Sequence, residues 1–413
     1  MNSKSLSSNS SSDPLSYLER ELQNLEQGGH RRTIRTLHSK EGAYVHCETA
    51  EGQVQKVLNL TSNDYLGLSQ HPSVKQAGID ALEQWGTGSG GSRLLGGGLS
   101  FYKDFEKTLA ERAQTESALL FSNGFAANTG VLSNLCKAFD HVFTDRLNHA
   151  SLIDGVLQSK QSFTRYPHLD MEYLDRLLSK HPHPENTLVV TESLFSMDGD
   201  WLPLDAFWDL QKKYGFWSYV DQAHSFGGYL EYEQQLLRGG VPDKKIWMGA
   251  FGKALGGSGA FVAGSQQVTD YLLHKARSFV YSTALTPAAI AGVAKALEIS
   301  TQNSDTHQSL QENIQYVLEL AHSEEWDLPS SVQVGPCASH IIPIQIGESD
   351  KALALSQKML QQGILLQAIR PPTVPKGTAR LRLSLNVHLE KQHIQNLFKV
   401  LSESLHSKEL SDS

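Results

Sequence analysis

Between about residue 71 and residue 295 the chain alternates two kinds of stretch. Short apolar runs recur: SALLF at 117–121, TLVVTE at 187–192, WSYVD at 217–221 and GAFVAG at 259–264. The longer segments between them carry apolar residues at helical spacing. Buried strands joined by amphipathic helices predict βαβ units and a mostly parallel sheet. Near the N-terminus, Leu15, Leu18, Leu22 and Leu25 fall on one face of a helix. Asp13-Pro14 supplies its N-cap and first-turn proline, and Gly28-Gly29 its stop. Strand-like pieces follow around residues 43–60. After about residue 300 the pattern changes to HIIPIQIG (340–347), a helical DKALALSQKMLQQG (350–363), ARLRLSLN (379–386) and a last helix near 390–406. This predicts an α/β chain in four parts: a Ser-rich tail over 1–14, a helix with short strands over 15–60, a large domain over 61–297 and a smaller α+β domain over 298–413. No internal repeat is present.

Composition narrows the class. With 413 residues, 39% hydrophobic and 19% charged, the chain is that of an ordinary globular protein with ample core volume. Its net charge of −8 argues against non-specific nucleic-acid binding. No apolar run approaches the ~20 residues of a membrane span. The N-terminus lacks the apolar stretch of a secretory signal, so a cytoplasmic protein is expected. Cys47, Cys136 and Cys337 lie far apart without CxxC spacing, which fits a reducing compartment and argues against a disulfide or zinc framework.

The candidate chemistry centres on MGAFGKALGGSGAF (248–261), where Lys253 is the one charge. Small apolar neighbours disfavour its ammonium, and a neutral amine is a nucleophile for a carbonyl. A Walker A loop fails on spacing, because Trp247 stands where its first glycine belongs and Ala254 replaces the Ser/Thr. HPHP (181–184) has no acid partner nearby and reads as a loop rather than a metal site. Three other motifs sit at the ends of apolar runs or before helices, where open α/β sheets bind ligands. FSNGFAAN (121–128) offers backbone N–H groups at a helix start, a setting for phosphate. VDQAHSFGG (220–228) supplies Asp221 and His224, and DRLNHASL (145–152) supplies His149. A phosphate nest, an acid, an imidazole and an imine-forming lysine match the groups of pyridoxal 5'-phosphate (PLP).

The chain resembles the α-oxoamine synthases, fold-type I PLP enzymes with a large mostly parallel-sheet domain and a smaller C-terminal α+β domain. Within them it is most similar to the branch that forms 8-amino-7-oxononanoate. The resemblance rests on LTSNDYLGLSQHP (60–72), GSGGSRLLGG (88–97), FSNGFAAN, DRLNHASL, TESLFSMDGD (191–200), FGKALGG (251–257), VYSTALTP (280–287) and IRPPTVPKGTARLRLSL (369–385). It implies condensation of L-alanine with a pimeloyl thioester, of coenzyme A or a carrier protein, with loss of CO₂. It also implies Lys253 as the cofactor lysine, Asp221 as the acid on the pyridine nitrogen and His149 as the ring-stacking histidine. Ser196 and His224 are implied near the phenolic oxygen, Gly124 and Phe125 at the phosphate, and Glu192 in the site wall. Asn63, Arg370 and Arg382 fall on the substrate side, with Arg382 matching the carboxylate-binding arginine. Thr283 matches a phosphate ligand supplied by a partner subunit, which implies a homodimer. Three positions depart from the family pattern: Ala250 for a phosphate-binding threonine, Gln222 for an aspartate and Tyr102 for a histidine. A sister reaction such as glycine C-acetyl transfer, a PLP-binding protein without turnover and a nucleotide-binding module are the alternatives. Colour and thiol release separate them.

Overall fold

The computed structural model describes residues 13–28, 31–49, 52–321, 323, 333–334 and 339–405. The Ser-rich tail up to Ser12 and Cys337 lie outside the described residues. The chain divides into two compact units, Met1–Val57 and Leu58–Ser413.

In the first unit the helix Pro14–Gln27 starts at Asp13, whose carboxylate accepts from the Leu15 N–H. Strands β1 (Leu37–Glu41) and β2 (Tyr44–Glu48) form an antiparallel hairpin. Its turn places Gly42 at a φ of 57°, a conformation that favours glycine. Strand β3 begins at Val54 and runs to Asn59.

The second unit is built on a seven-stranded sheet. Its strands are β4 (Ser117–Phe121), β5 (His141–Asp145), β6 (Phe163–Tyr166), β7 (Thr187–Glu192), β8 (Trp217–Asp221), β9 (Lys245–Ala250) and β10 (Ala260–Gly264). They lie in the order β4-β10-β9-β8-β7-β5-β6. β6, β5, β7, β8 and β9 pair in parallel, whereas β10 is antiparallel to both of its neighbours, β9 and β4. The apolar run at 259–264 is therefore the reversed strand of a mostly parallel sheet. Every residue of β7, β9 and β10 is buried, as expected for strands covered on both faces. The main core lies between this sheet and its helices. Leu119, Val131, Leu132, Leu188, Val190, Tyr219, Ile246 and Val262 form its centre.

A smaller C-terminal sheet contains β11 (Gln333–Val334), β12 (Ile341–Gly347), β14 (Gln367–Ile369) and β15 (Ala379–Ser384), in the order β11-β12-β15-β14. The short β13 (Ile364–Leu365) instead pairs in parallel with Leu58 and Asn59. β15 is an interior strand with all six residues buried, Arg380 and Arg382 among them. Alternation keeps the two arginines on one face, and their register partners on β12 are Gln345 and Pro343.

Candidate active site

The parallel strands deliver their chemistry at one end of the sheet. β7 ends at Glu192 and β8 at Asp221, and these two acids are register partners. β9 ends at Ala250 and turns through a closed loop into β10. The loop is held by Phe251 N–H on Gly259 O, Gly257 N–H on Phe251 O and Gly256 N–H on Lys253 O, at 2.8–2.9 Å. Gly256 adopts a φ of 62°, and a Cβ there would collide with the Ser69 backbone. The tight loop thus fixes Lys253. Beyond β4, Asn123 caps the helix Gly124–Leu135 by accepting from the Ala126 N–H at 2.8 Å. The Gly124 and Phe125 N–H groups, at that helix start, make no hydrogen bond among the described residues.

One cavity gathers these ends. Asn63, Gly124, Phe125, His149, Glu192, Asp221, His224, Ala250 and Lys253 all line it. Asp221 is buried, with one oxygen accepting from the Ala223 N–H and the other from Asn128 Nδ2, both at 2.8 Å. Asn128 also donates to Ser151 Oγ at 2.9 Å and accepts from the Tyr219 hydroxyl at 2.8 Å. Ser151 in turn meets His149 Nδ1 at 2.8 Å, and the His149 N–H donates to Glu192 Oε1 at 2.6 Å. On the other wall, His224 Nδ1 meets the Tyr65 hydroxyl at 2.8 Å, and that hydroxyl donates to Asn63 Oδ1.

Arg382 stands behind Asn63. Its guanidinium donates to Ser196 O at 2.6 Å, Ser384 Oγ at 2.6 Å, Asn63 Oδ1 at 3.2 Å and the Tyr65 hydroxyl at 3.5 Å. All four acceptors are uncharged. Arg380, two residues earlier, is paired with Asp198 at 2.5 Å.

Burial and neighbouring charge set the protonation states. Burial lowers the Lys253 pKa to about 8, against the opposing pull of Asp221 and Glu192. Among the described residues its ammonium has no hydrogen bond or ion pair. Burial and the charge of Asp221 push the Glu192 carboxyl well above the usual carboxylate range. Burial holds His149 below the ordinary imidazole value. His224 falls well below it, by burial and then by the charges of Lys253 and Arg382.

The remaining sequence-selected residues lie outside this cavity. Ser196 meets Arg382 through its carbonyl oxygen. Arg370 follows the end of β14, ahead of Pro371. Thr283 is exposed and bridges to Ser92. Asn128 and Tyr65 were not singled out by sequence, although each lies inside a quoted motif. Asn128 is one helical turn beyond Gly124, and that spacing puts its amide over the same cavity.

Comparison with known proteins accords with this geometry. The family Aminotransferase class I and II matches residues 55–401. The 8-amino-7-oxononanoate synthase of Geobacter sulfurreducens is 41% identical over 88% of this chain and 92% of its own. Among solved structures, the serine palmitoyltransferase of S. paucimobilis with bound PLP-myriocin aldimine is similar at a TM-score of 0.83. It is 26% identical, covering 95% of this chain and 98% of that one. The 8-amino-7-oxononanoate synthase of Francisella tularensis has a TM-score of 0.71 and 28% identity, covering 84% of this chain and 98% of its own. With its cavity at the strand ends and relatives of this kind over nearly its whole length, the chain belongs to the aminotransferase class I and II family and, within it, to the α-oxoamine synthases.

Proposed function

We propose that the chain is a PLP-dependent acyltransferase that condenses L-alanine with a pimeloyl thioester to 8-amino-7-oxononanoate, a step of biotin biosynthesis. The observation that carries this reading is the single cavity holding Lys253, Asp221 and the free N–H pair of Gly124 and Phe125. These groups fit PLP: an anion site at a helix start, an acid for a protonated ring nitrogen and an amine of lowered pKa for a carbonyl. PLP, when bound, supplies an electron sink conjugated to the amino-acid Cα.

The chain's own residues do the rest. Gly124 and Phe125 would hold the phosphate by backbone donors, and Asp221, itself oriented by Asn128 and the Ala223 N–H, would keep the proton on the ring nitrogen. Lys253 Nζ, titrating near pH 8, takes the proton from the alanine Cα and returns it to the product. Arg382 binds the alanine carboxylate, because among the described residues its charge has met only neutral acceptors. His149 would lie against the ring, and His224 and Asn63, both held by the Tyr65 hydroxyl, line the same cavity. Thr283, exposed and away from its own chain's cavity, serves the phosphate of a second subunit in a homodimer.

The test offers purified protein with PLP three substrate pairs: L-alanine with pimeloyl-CoA, L-alanine with pimeloyl carrier protein, and glycine with acetyl-CoA. Thiol release with alanine and either pimeloyl donor is expected. Release only with glycine and acetyl-CoA would replace this reading by the sister reaction, and no release with any pair would refute the enzyme.

A further inference from the structure

We propose that His168 is a positioning residue, an imidazolium strut that ties the loop carrying His149 to the loop that holds Arg382. His168 stands between two carboxylates, with Nδ1 2.9 Å from Asp145 Oδ1 and Nε2 2.8 Å from Asp200 Oδ2. A neutral imidazole has one N–H and would turn a lone pair on one of these anions. Both contacts are hydrogen bonds only if both nitrogens are protonated. Burial opposes that charge, but the bonds and charges of Asp145 and Asp200 outweigh it and raise His168 to about 10.

Each acid anchors one side of the site. Asp145, fully buried at the end of β5, also accepts from the N–H groups of Leu147 and Leu169 at 2.8 Å. It thereby shapes the turn into Asn148 and His149. Asp200 closes the loop after β7, with its carbonyl accepting from the Phe195 N–H at 3.0 Å. The Phe195 ring meets His168 edge-on at 4.4 Å. Within that loop, the Ser196 carbonyl holds Arg382 and the Asp198 carboxylate holds Arg380. Gly199 presses the loop onto β12 so closely that a Cβ would strike the Ile341 carbonyl. The strut therefore sets where the Ser196 carbonyl stands, and through it the direction of the Arg382 guanidinium.

This inference rests on the proposed role of Arg382, and its test keeps the two apart. Holoenzymes carrying His168→Ala, Asp200→Ala, both changes, Asp200→Asn or Arg382→Lys would be compared by L-alanine affinity, read from the cofactor absorbance, by KM and kcat, and by Tm. Each alanine variant is expected to retain PLP and to weaken alanine about five- to tenfold, with a smaller change in kcat. The double variant should be no weaker than either single one, since one link is lost. Asp200→Asn should stay within about twofold, because an amide N–H can donate to the free nitrogen of a neutral His168. A lowered Tm with unchanged alanine affinity in Asp200→Ala would overturn the proposal, leaving a tie for stability alone. If His168→Ala fails to fold, the contrast between Asp200→Ala and Asp200→Asn decides. Alanine weakened by Arg382→Lys but not by Asp200→Ala overturns the strut and leaves the clamp. The converse overturns the clamp and, with it, the strut's action through Arg382.

Discussion

Strand β9 has a lysine at its start and another just past its end, and the two ends treat them differently. Lys245 is buried and donates to the carbonyls of Leu237 at 2.6 Å and Gly239 at 3.0 Å. Its ammonium also lies 5.6 Å from the Trp247 ring centre. Burial lowers the pKa of both lysines. Lys245 spends donors on carbonyls at the closed end of the sheet, whereas among the described residues Lys253 keeps all of its own at the open end. Arg380 and Arg382 differ in charge pairing rather than in donors spent: among the described residues Arg380 is ion-paired with Asp198, whereas the four bonds of Arg382 all go to neutral groups. Burial alone does not mark a reactive cation. An unspent donor set at the end of a parallel strand, as on Lys253, or a charge met only by neutral acceptors among the described residues, as on Arg382, does.

The largest effect that would break this comparison comes from Asp221→Asn. A neutral amide cannot hold the ring-nitrogen proton, so turnover should fall about a hundredfold, the scale of a lost charge-assisted hydrogen bond. Near-normal kcat in a folded variant would mean that another group holds that proton.

Next in size, Arg382→Lys should raise the KM for alanine about tenfold and lower kcat, since a lysine cannot make two parallel bonds to a carboxylate. Arg380→Lys, changed at the residue already paired inside the protein, should shift KM less. Steady-state kinetics showing the reverse order would move the carboxylate site to Arg380.

Titration gives a third contrast. The folded protein releases the Lys253 proton near pH 8, below the usual lysine range, so the apoprotein should attach PLP about tenfold faster per pH unit up to about 8 and level off above it. By linkage, the same depressed pKa is a penalty on folding that is full below about 8 and fades as pH rises towards the ordinary lysine value near 10.5. An attachment rate still rising steeply above pH 9 would show that burial does not lower this amine. His168 has the opposite sign: the stability of its strut is full below the usual histidine pKa and is lost as pH rises through about 10.

The smallest effect is at Ala250, whose Cβ lies 3.6 Å from the space a Gly124 side chain would take, beside the helix start. Ala250→Thr should place a hydroxyl near the phosphate and tighten PLP by about 1 kcal/mol, several-fold in affinity. Equilibrium titration of apoprotein checks it, and unchanged affinity would mean that another donor already fills the place.

Much of the site was legible in the sequence because its charged members punctuate apolar runs. Asp221 and Glu192 end strands, and Lys253 stands alone among glycines. Asn128 and Tyr65 were not legible as site residues, since neutral side chains leave no such mark and acquire a role only when the fold brings them to Asp221 and His224. The direction of β10 was equally hidden, because a buried strand reads the same either way. The alternation in β15, by itself, fitted a surface edge strand with two arginines. The fold buries it between β12 and β14 and supplies each guanidinium with acceptors. His168, in the polar stretch YPHLD, carries no local hint of the two acids that reach it from Asp145 and Asp200.

The most direct test of the central claim is to load the protein with PLP, reduce the cofactor-protein bond with borohydride and map the labelled peptide. The account predicts a single label on Lys253, the buried lysine without a hydrogen-bond or ion-pair partner among the described residues. A label on Lys245, the buried lysine whose donors are already engaged, or on any exposed lysine would contradict it.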